Sequence, residues 1–511
     1  MVTFAYFIIL VYILALSYIT AYCLLQFQLL LFYKKHHAAK KEAPSPKAHL
    51  SDDLPFVTIQ LPIFNEMYVV DRLVDNITAF HYPKDRFEIQ VLDDSTDETV
   101  EISRRKVEEY KAKGFNIELY HRTDRKGYKA GALKEAMPQA QGEFIAIFDA
   151  DFLPHPDFLL RTIPYFENEK VGIVQTRWDH INQNYSVLTR LQAMQLNVHF
   201  TVEQKGRQAG NCLLQFNGTA GVWRRQTIEE AGGWEADTLT EDLDLSYRAQ
   251  LKGWEINFIE EFVSPAELPA EMNGLKSQQF RWMKGGAENA RKLLPTIWRS
   301  HLNFRQKLHA TSHLLGSGVF IFIFISGIFS VPLLFALDKL GLETSAFAFF
   351  FLGLFSIIAI YYVANVQATQ QETSHAKKVV KFIVLFPVFL ALSMGLSLHN
   401  SIAVLQGYIG RKSAFVRTPK FNIKGIRDSF RQNKYLATKI SWTTIFEGLL
   451  ALYFLGGIYL GIQLENTSFI LFHLLLMIGF GTICYYSLRH ISFKKSDVKP
   501  PQLELQKSQE Y

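Results

Sequence analysis

The chain reads as an α/β protein in which a mostly parallel sheet is flanked by transmembrane helices. Three observations lead there. Charge-free apolar runs long enough to cross a bilayer stand towards both ends. A polar stretch of mixed charge, roughly residues 53–299, lies between them. Inside that stretch, apolar runs of strand length alternate with segments of helix length.

The first run, residues 1–33, carries no charge, and about 20 apolar residues rising ~1.5 Å each already span a bilayer. A cleaved signal peptide has a shorter apolar core behind basic residues, so 1–33 is expected to remain as an anchor. Further charge-free runs cover 314–337, 346–366, 382–398, 449–464 and 468–488.

Lysine and arginine mark the cytoplasmic side of short loops. The basic stretch 34–41 follows the first run, which puts the N-terminus outside and the polar domain in the cytoplasm. The acidic link 338–343 then belongs outside and the basic segment 375–381 inside. Residues 382–398 are basic on both flanks and contain Pro387 and Gly395. They are therefore expected to form an interfacial or re-entrant helix, giving five crossings and a cytoplasmic tail over 489–511; a sixth ordinary crossing is the alternative.

The net charge of +6 is accounted for by juxtamembrane loops that attract anionic lipid, so no nucleic-acid partner is implied. Cys23 and Cys484 fall in apolar runs and Cys212 stands by itself, with neither metal nor disulfide spacing.

Within the polar domain, 55–61, 87–92, 116–120 and 144–148 read as strands, and 66–80, 97–113 and 130–140 as helices. Ligands of such a sheet gather beyond the carboxyl ends of its strands. Asn65 and Glu66, Asp93 and Asp94, and Asp149 and Asp151 all fall on that edge. Neither dinucleotide nor P-loop glycine spacing is present.

Asp149 and Asp151 follow a buried strand with one residue between them, and carboxylates this close need a cation or hydrogen-bond donors to relieve them. A hard divalent ion would serve; capping of the next helix is the plainer reading. Thr240, Glu241 and Asp242 head an amphipathic helix, where carboxylates are also favoured as caps. Gln278, Arg281 and Trp282 share one helix face, suited to stacking and hydrogen-bonding a sugar; an arginine packed on tryptophan for structure alone is the alternative.

The order of these elements between membrane helices resembles that of processive family 2 glycosyltransferases of the cellulose, chitin and hyaluronan synthase type. The wording is closer to plant cellulose-synthase-like mannan and glucan synthases: QVLDDSTD, RKGYKAGAL, FNGTAGVWRR, EAGGW, EDLDLSYRAQLKGW, ELP and QQFRW all stand in the chain. The resemblance covers about 56–291 and is looser over the C-terminal membrane region.

It implies a nucleotide-sugar-binding domain of GT-A type over 54–290. Pro62, Asn65, Glu66, Asp93, Asp94 and Lys129 are implied to hold the nucleotide sugar, one aspartate of the 93–94 pair gripping base or ribose while the other supports the loop. Asp149 and Asp151 are implied to bind Mg²⁺ or Mn²⁺ with the diphosphate. Asp242 is implied to be the catalytic base, beside Glu241 and Arg281, and Gln278, Arg281 and Trp282 to hold the acceptor. An inverting transfer then follows, Asp242 taking the acceptor's proton as the diphosphate leaves. The expected donor is of the GDP-mannose or UDP-glucose type. The expected acceptor is a growing β-linked polysaccharide, with a membrane lipid receiving one or a few sugars as the alternative. A non-enzymatic scaffold or transporter is disfavoured by the full carboxylate set. The expected location is the cell membrane, in contact with its lipids; accessory subunits are not legible.

Two further segments carry expectations. Residues 414–421 resemble, more weakly, the gating loop of cellulose synthases, which gives Thr418 and Lys420 a lid role over donor phosphate; a basic loop at the lipid surface is the alternative. Residues 291–310 alternate basic and apolar side chains as an interfacial helix does, and 311–488 hold the remaining membrane helices with a cytoplasmic loop at 411–440.

Overall fold

The computed structural model describes residues 2–39, 54–368, 374–423, 425, 428–430, 434–436 and 439–491. Lys40, Lys41, most of the 34–53 linker and the tail beyond Ile491 lie outside them.

Seven strands form one sheet: β1 Val57–Ile63, β2 Phe87–Asp93, β3 Ile117–His121, β4 Phe144–Ile147, β5 Val171–His180, β6 Gly221–Arg224 and β7 Glu255–Ala266. Their order is β3-β2-β1-β4-β6-β5-β7. Every pairing is parallel except the two made by β6, which runs against β4 and β5. Central strands of a covered parallel sheet are buried on both faces; β4 is wholly apolar, while the buried polar residues of β1 and β2 pair across the strands, Thr58 Oγ1 donating to Glu88 Oε1 at 2.7 Å and Gln60 Nε2 to Gln90 Oε1 at 2.9 Å. All seven residues of β2 are buried, including Asp93. Because β1, β2 and β4 run the same way, their carboxyl ends deliver Ile63, Asp93 and Ile147, and the loops that follow them, to one edge.

Among the described residues, six helices are long and apolar enough to cross a membrane: Val2–Ala39, Phe304–Leu340, Phe347–Gln367, His375–Gly395, Trp442–Gln463 and Thr467–Arg489. Residues 382–398, read from the sequence as interfacial or re-entrant, lie largely in the fourth of these, which runs unbroken through Pro387. That helix crosses the last one in backbone contact: a Cβ on Gly479 would run into the Ala391 carbonyl, and one on Gly395 into the Gly479 backbone. Small residues permit this approach, the means by which helices associate in lipid.

A single helix, Met272–Arg299, joins the two halves. At its start, Met272 N donates to His490 Nδ1 at 3.1 Å, and the Lys276 ammonium donates to both carboxylate oxygens of Glu447 at 2.8 and 2.9 Å, the pair fully buried. Towards its end, Lys292 reaches Glu235, Asp237 and Asp244 at 2.6, 2.8 and 3.0 Å. The face expected at the lipid interface is covered by protein: Leu293 and Ile297 are buried among Leu213, Leu243, Tyr247 and Leu314. Trp298 stays 47% exposed.

Candidate active site

Loops at the carboxyl edge of the sheet, the start of the Glu241–Leu251 helix and the Met272–Arg299 helix enclose one cavity. Pro62, Glu66, Asp94, Lys129, Asp149, Asp151, Glu241, Asp242, Gln278, Arg281 and Trp282 all line it. Residues spread over more than 200 positions of sequence are thus brought together as the motif order implies.

Two expected residues stand behind the wall. Asp93 is fully buried, and its Oδ1 accepts from Ser95 N at 2.8 Å. Asn65, at φ +53°, gives its N–H to Ser95 Oγ at 2.7 Å and takes that of Thr96 at 2.8 Å. Together they tie the β1 and β2 loops, a supporting geometry. Asp94 reaches the cavity with both oxygens held by Arg122, Nε at 2.8 Å and Nη2 at 2.7 Å, in the two-pronged manner of guanidinium and carboxylate. Arg122 went unread in the sequence, where it is one of several basic residues after β3.

The Asp149 and Asp151 carboxylates each face an ammonium. Lys129 Nζ donates to Asp149 Oδ1 at 2.5 Å and to the Gly218 carbonyl at 2.9 Å. Lys420 Nζ donates to Asp151 Oδ2 at 2.6 Å and to the Glu267 carbonyl at 2.9 Å. Both carboxylates are thus neutralised by ammoniums, with which a hard cation on the same oxygens would have to share or compete. Burial opposes the charge on Lys129, but Asp149, Glu241 and Asp242 outweigh it and hold its pKa above the usual value.

Thr240 precedes the Glu241–Leu251 helix without capping it; its Oγ1 instead accepts from Asn289 Nδ2 at 2.9 Å. Asp242 Oδ1 accepts from Leu243 N at 2.9 Å. Burial, then the neighbouring Glu241 charge, pushes the Asp242 carboxyl up to about 7, against the pull of Lys129. Gly218 permits this placement: its φ is +79°, and a Cβ there would stand 2.9 Å from Asp242 Oδ2. Behind Gly218, Asn217 Oδ1 meets His199 Nε2 at 2.8 Å, and His199 Nδ1 meets Glu203 Oε2 at 2.9 Å. His199 opens a π-helical turn, His199–Gln204, a distortion that often accompanies functional sites.

The 414–421 segment supplies Phe415, Arg417, Thr418 and Lys420 to the cavity wall. Arg417 pairs with Glu66 at 2.9 Å, Arg281 Nη2 donates to Thr418 Oγ1 at 2.8 Å, and Arg281 lies 4.5 Å from the Phe415 ring centre. Burial pushes Glu66 up to about 7, partly offset by Arg417. On the nearby rim, the Arg125 guanidinium lies 3.3 Å from the Phe64 ring centre.

Residues 55–285 match the family described as "Glycosyltransferase like family 2". The chain is 44% identical over 261 residues to glucomannan 4-beta-mannosyltransferase 1 of Oryza sativa subsp. japonica, covering 50% of each chain. It is 42% identical over 269 residues to glucomannan 4-beta-mannosyltransferase 1 of Cyamopsis tetragonoloba, covering 52% of this chain and 51% of that one. The chain spans about half the length of these curated relatives. Among solved structures, the mannosyltransferase PcManGT from Pyrobaculum calidifontis, in complex with GDP-Man and Mn²⁺, aligns with a TM-score of 0.48 at 19% identity, over 78% of this chain and 100% of that one. The likeness to the cellulose-synthase-like branch of family 2 holds, and the sheet domain is of the GT-A type, mostly parallel with one reversed strand.

Proposed function

We propose, taking residues 55–285 as a family 2 glycosyltransferase domain, that this chain is a membrane-embedded inverting glycosyltransferase. It moves a hexose from a nucleotide sugar of the GDP-mannose or UDP-glucose type to a growing β-linked polysaccharide. The observation that carries the reading is Asp242: a carboxylate raised to about 7, in a cavity wall shared with the Asp149/Asp151 pair and with Gln278, Arg281 and Trp282. A general base works best with a pKa near the working pH.

In this reading the diphosphate lies against Lys129, Arg281, Arg417 and Lys420. Asp242 takes the proton of the attacking hydroxyl, the new glycosidic bond forms at the anomeric carbon, and the bond to the diphosphate breaks on the opposite side. Lys129 and Arg281 face the charge that builds on the leaving group. Asp149 and Asp151 would hold Mg²⁺ or Mn²⁺, which neutralises diphosphate charge when bound. Trp282 and Gln278 would position the acceptor. The domain faces the cytoplasm of the cell membrane in this reading, supplied there with soluble nucleotide sugar.

A panel of radiolabelled nucleotide sugars, offered to the purified chain in lipid nanodiscs with Mg²⁺ or Mn²⁺, tests the proposal. A long product cut by a linkage-specific glycosidase is expected. A product of one or two sugars that partitions into organic solvent would move the acceptor to lipid, and no transfer from any donor would overturn the reading.

A further inference from the structure

Acidic residues are missing from two long stretches of the chain, 289–337 and 375–427, and the fold brings one point of each together. The Ser397–Tyr408 helix packs closely on the Met272–Arg299 helix: a Cβ on Gly407 would stand 2.6 Å from the Lys284 carbonyl oxygen. Past it the chain turns at Gly410, φ +73°, where a Cβ would run into the Arg291 guanidinium. Arg411 and Lys412 follow. Arg291, Arg411 and Lys412 are all exposed, and none makes an ion pair with a described residue. Glu288, the carboxylate on which Arg291 and Lys412 both act, is engaged elsewhere. Its Oε2 accepts from Leu239 N at 2.8 Å, and its Oε1 lies 3.8 Å from Lys284 Nζ.

The neighbours of this cluster set its level. A Cβ on Gly318 would stand 3.3 Å from the Tyr408 hydroxyl, and Gly318 immediately precedes the apolar Val319–Leu340 helix, part of the Phe304–Leu340 segment long enough to cross a membrane. Leu405 and Ile409, four apart on one face, are 50% and 74% exposed. Exposed apolar side chains followed by unpaired basic ones suit the headgroup boundary, the first entering the acyl region and the second meeting phosphate. An anionic lipid headgroup matches the cluster in charge and in position, whereas a soluble acid would leave Leu405 and Ile409 in water. The cluster is also the root of the loop that enters the cavity. From Lys412 the chain runs back along the Met272–Arg299 helix: Ser413 Oγ accepts from Lys284 Nζ at 2.6 Å and Thr418 Oγ1 from Arg281 Nη2 at 2.8 Å, and Lys420 then reaches Asp151.

We infer that Arg291, Arg411 and Lys412 form a site for the headgroup of an anionic phospholipid, and that a lipid held there fixes the root of the 411–423 loop. The charge of the membrane surface is thereby coupled to the order of the loop that lines the cavity. The site goes beyond the glycosyltransferase reading and does not depend on it.

Hydrogen exchange of the full chain in nanodiscs of phosphatidylcholine, with and without phosphatidylglycerol, tests this. Phosphatidylcholine carries the same phosphate with its charge cancelled. Amides of 411–423 are expected to exchange about tenfold more slowly when phosphatidylglycerol is present, while those of β1 and β4 keep their rates and report the fold. Arg411→Gln with Lys412→Gln is expected to lose the slowing, and Arg411→Lys with Lys412→Arg, which keeps both charges, to retain it. Equal exchange of the wild-type loop in the two lipids, or full slowing in the neutral variant, overturns the site. The same slowing from inorganic phosphate added to phosphatidylcholine nanodiscs overturns the lipid and assigns a free anion. Should the neutral variant lose the protection of its sheet, Arg291→Gln, on the other helix, makes the same comparison.

Discussion

Lys420 donates to Asp151 Oδ2 across 269 residues of sequence, so a loop between membrane helices touches the carboxylate pair at the end of β4. That loop is also held through Arg417 on Glu66 and Thr418 on Arg281. Lys420→Ala should release it: cleavage by added protease within 411–423 is expected to accelerate, and turnover to fall about tenfold for the loss of a charge-assisted bond. Unchanged cleavage and unchanged turnover would show the contact to be incidental.

Asp242→Asn should cut turnover by about 10²–10⁴-fold while leaving nucleotide-sugar affinity within a factor of two or so. Steady-state rates beside a donor-binding isotherm measure both. Substantial turnover in this variant would remove Asp242 from the proton step.

The pH profile follows from the same carboxylate. Its ionised form is the base, and its pKa lies near 7, so kcat/KM should fall as pH drops below about 7 and level off above. Glu66 also lies near 7 and titrates in the same window. In Glu66→Gln the limb should persist, because it belongs to Asp242; its disappearance there would assign the limb to Glu66.

Chelation should abolish transfer, and Mn²⁺ or Mg²⁺ should restore it. In Asp149→Asn and Asp151→Asn, Mn²⁺ binding followed by electron paramagnetic resonance should weaken at least tenfold, by loss of a charged oxygen ligand. Full activity in excess chelator would assign charge neutralisation to Lys129, Arg281 and Lys420 without a metal.

The buried Lys276–Glu447 pair makes a stability prediction. Removing one partner strands the other's charge, at about 3–5 kcal/mol, whereas replacing both with apolar residues of similar size is close to neutral. Lys276→Met should therefore lower the melting temperature in detergent clearly, and Lys276→Met with Glu447→Leu should recover most of it. A double variant as unstable as the single one would mean that the pair contributes more than mutual neutralisation.

Much of this was legible because the relevant signals are local. The apolar runs of β1, β2 and β4 ended close to where the strands end, and the carboxylates placed after them followed from the parallel alternation. What stayed hidden depends on contacts distant in sequence. Nothing near Asp94 identifies Arg122 as its partner, and nothing in 291–299 tells a face covered by protein from one covered by lipid, since both ask for leucine and isoleucine. The 382–398 reading leaned on loop charges, while the continuity of that helix through Pro387 is decided by its packing.

The Met272–Arg299 helix is a rigid gauge set between two anchorages. Its first turns are fixed to the membrane helices through His490 and Glu447, its far turns to the soluble domain through Lys292, and Gln278, Arg281 and Trp282 ride between them. With a rise of ~1.5 Å and a turn of ~100° per residue, the depth and bearing of those three side chains are set by counting residues along one axis. Those three side chains therefore keep a fixed height relative to the apolar helices, and on the function proposed above each product would leave from the same level.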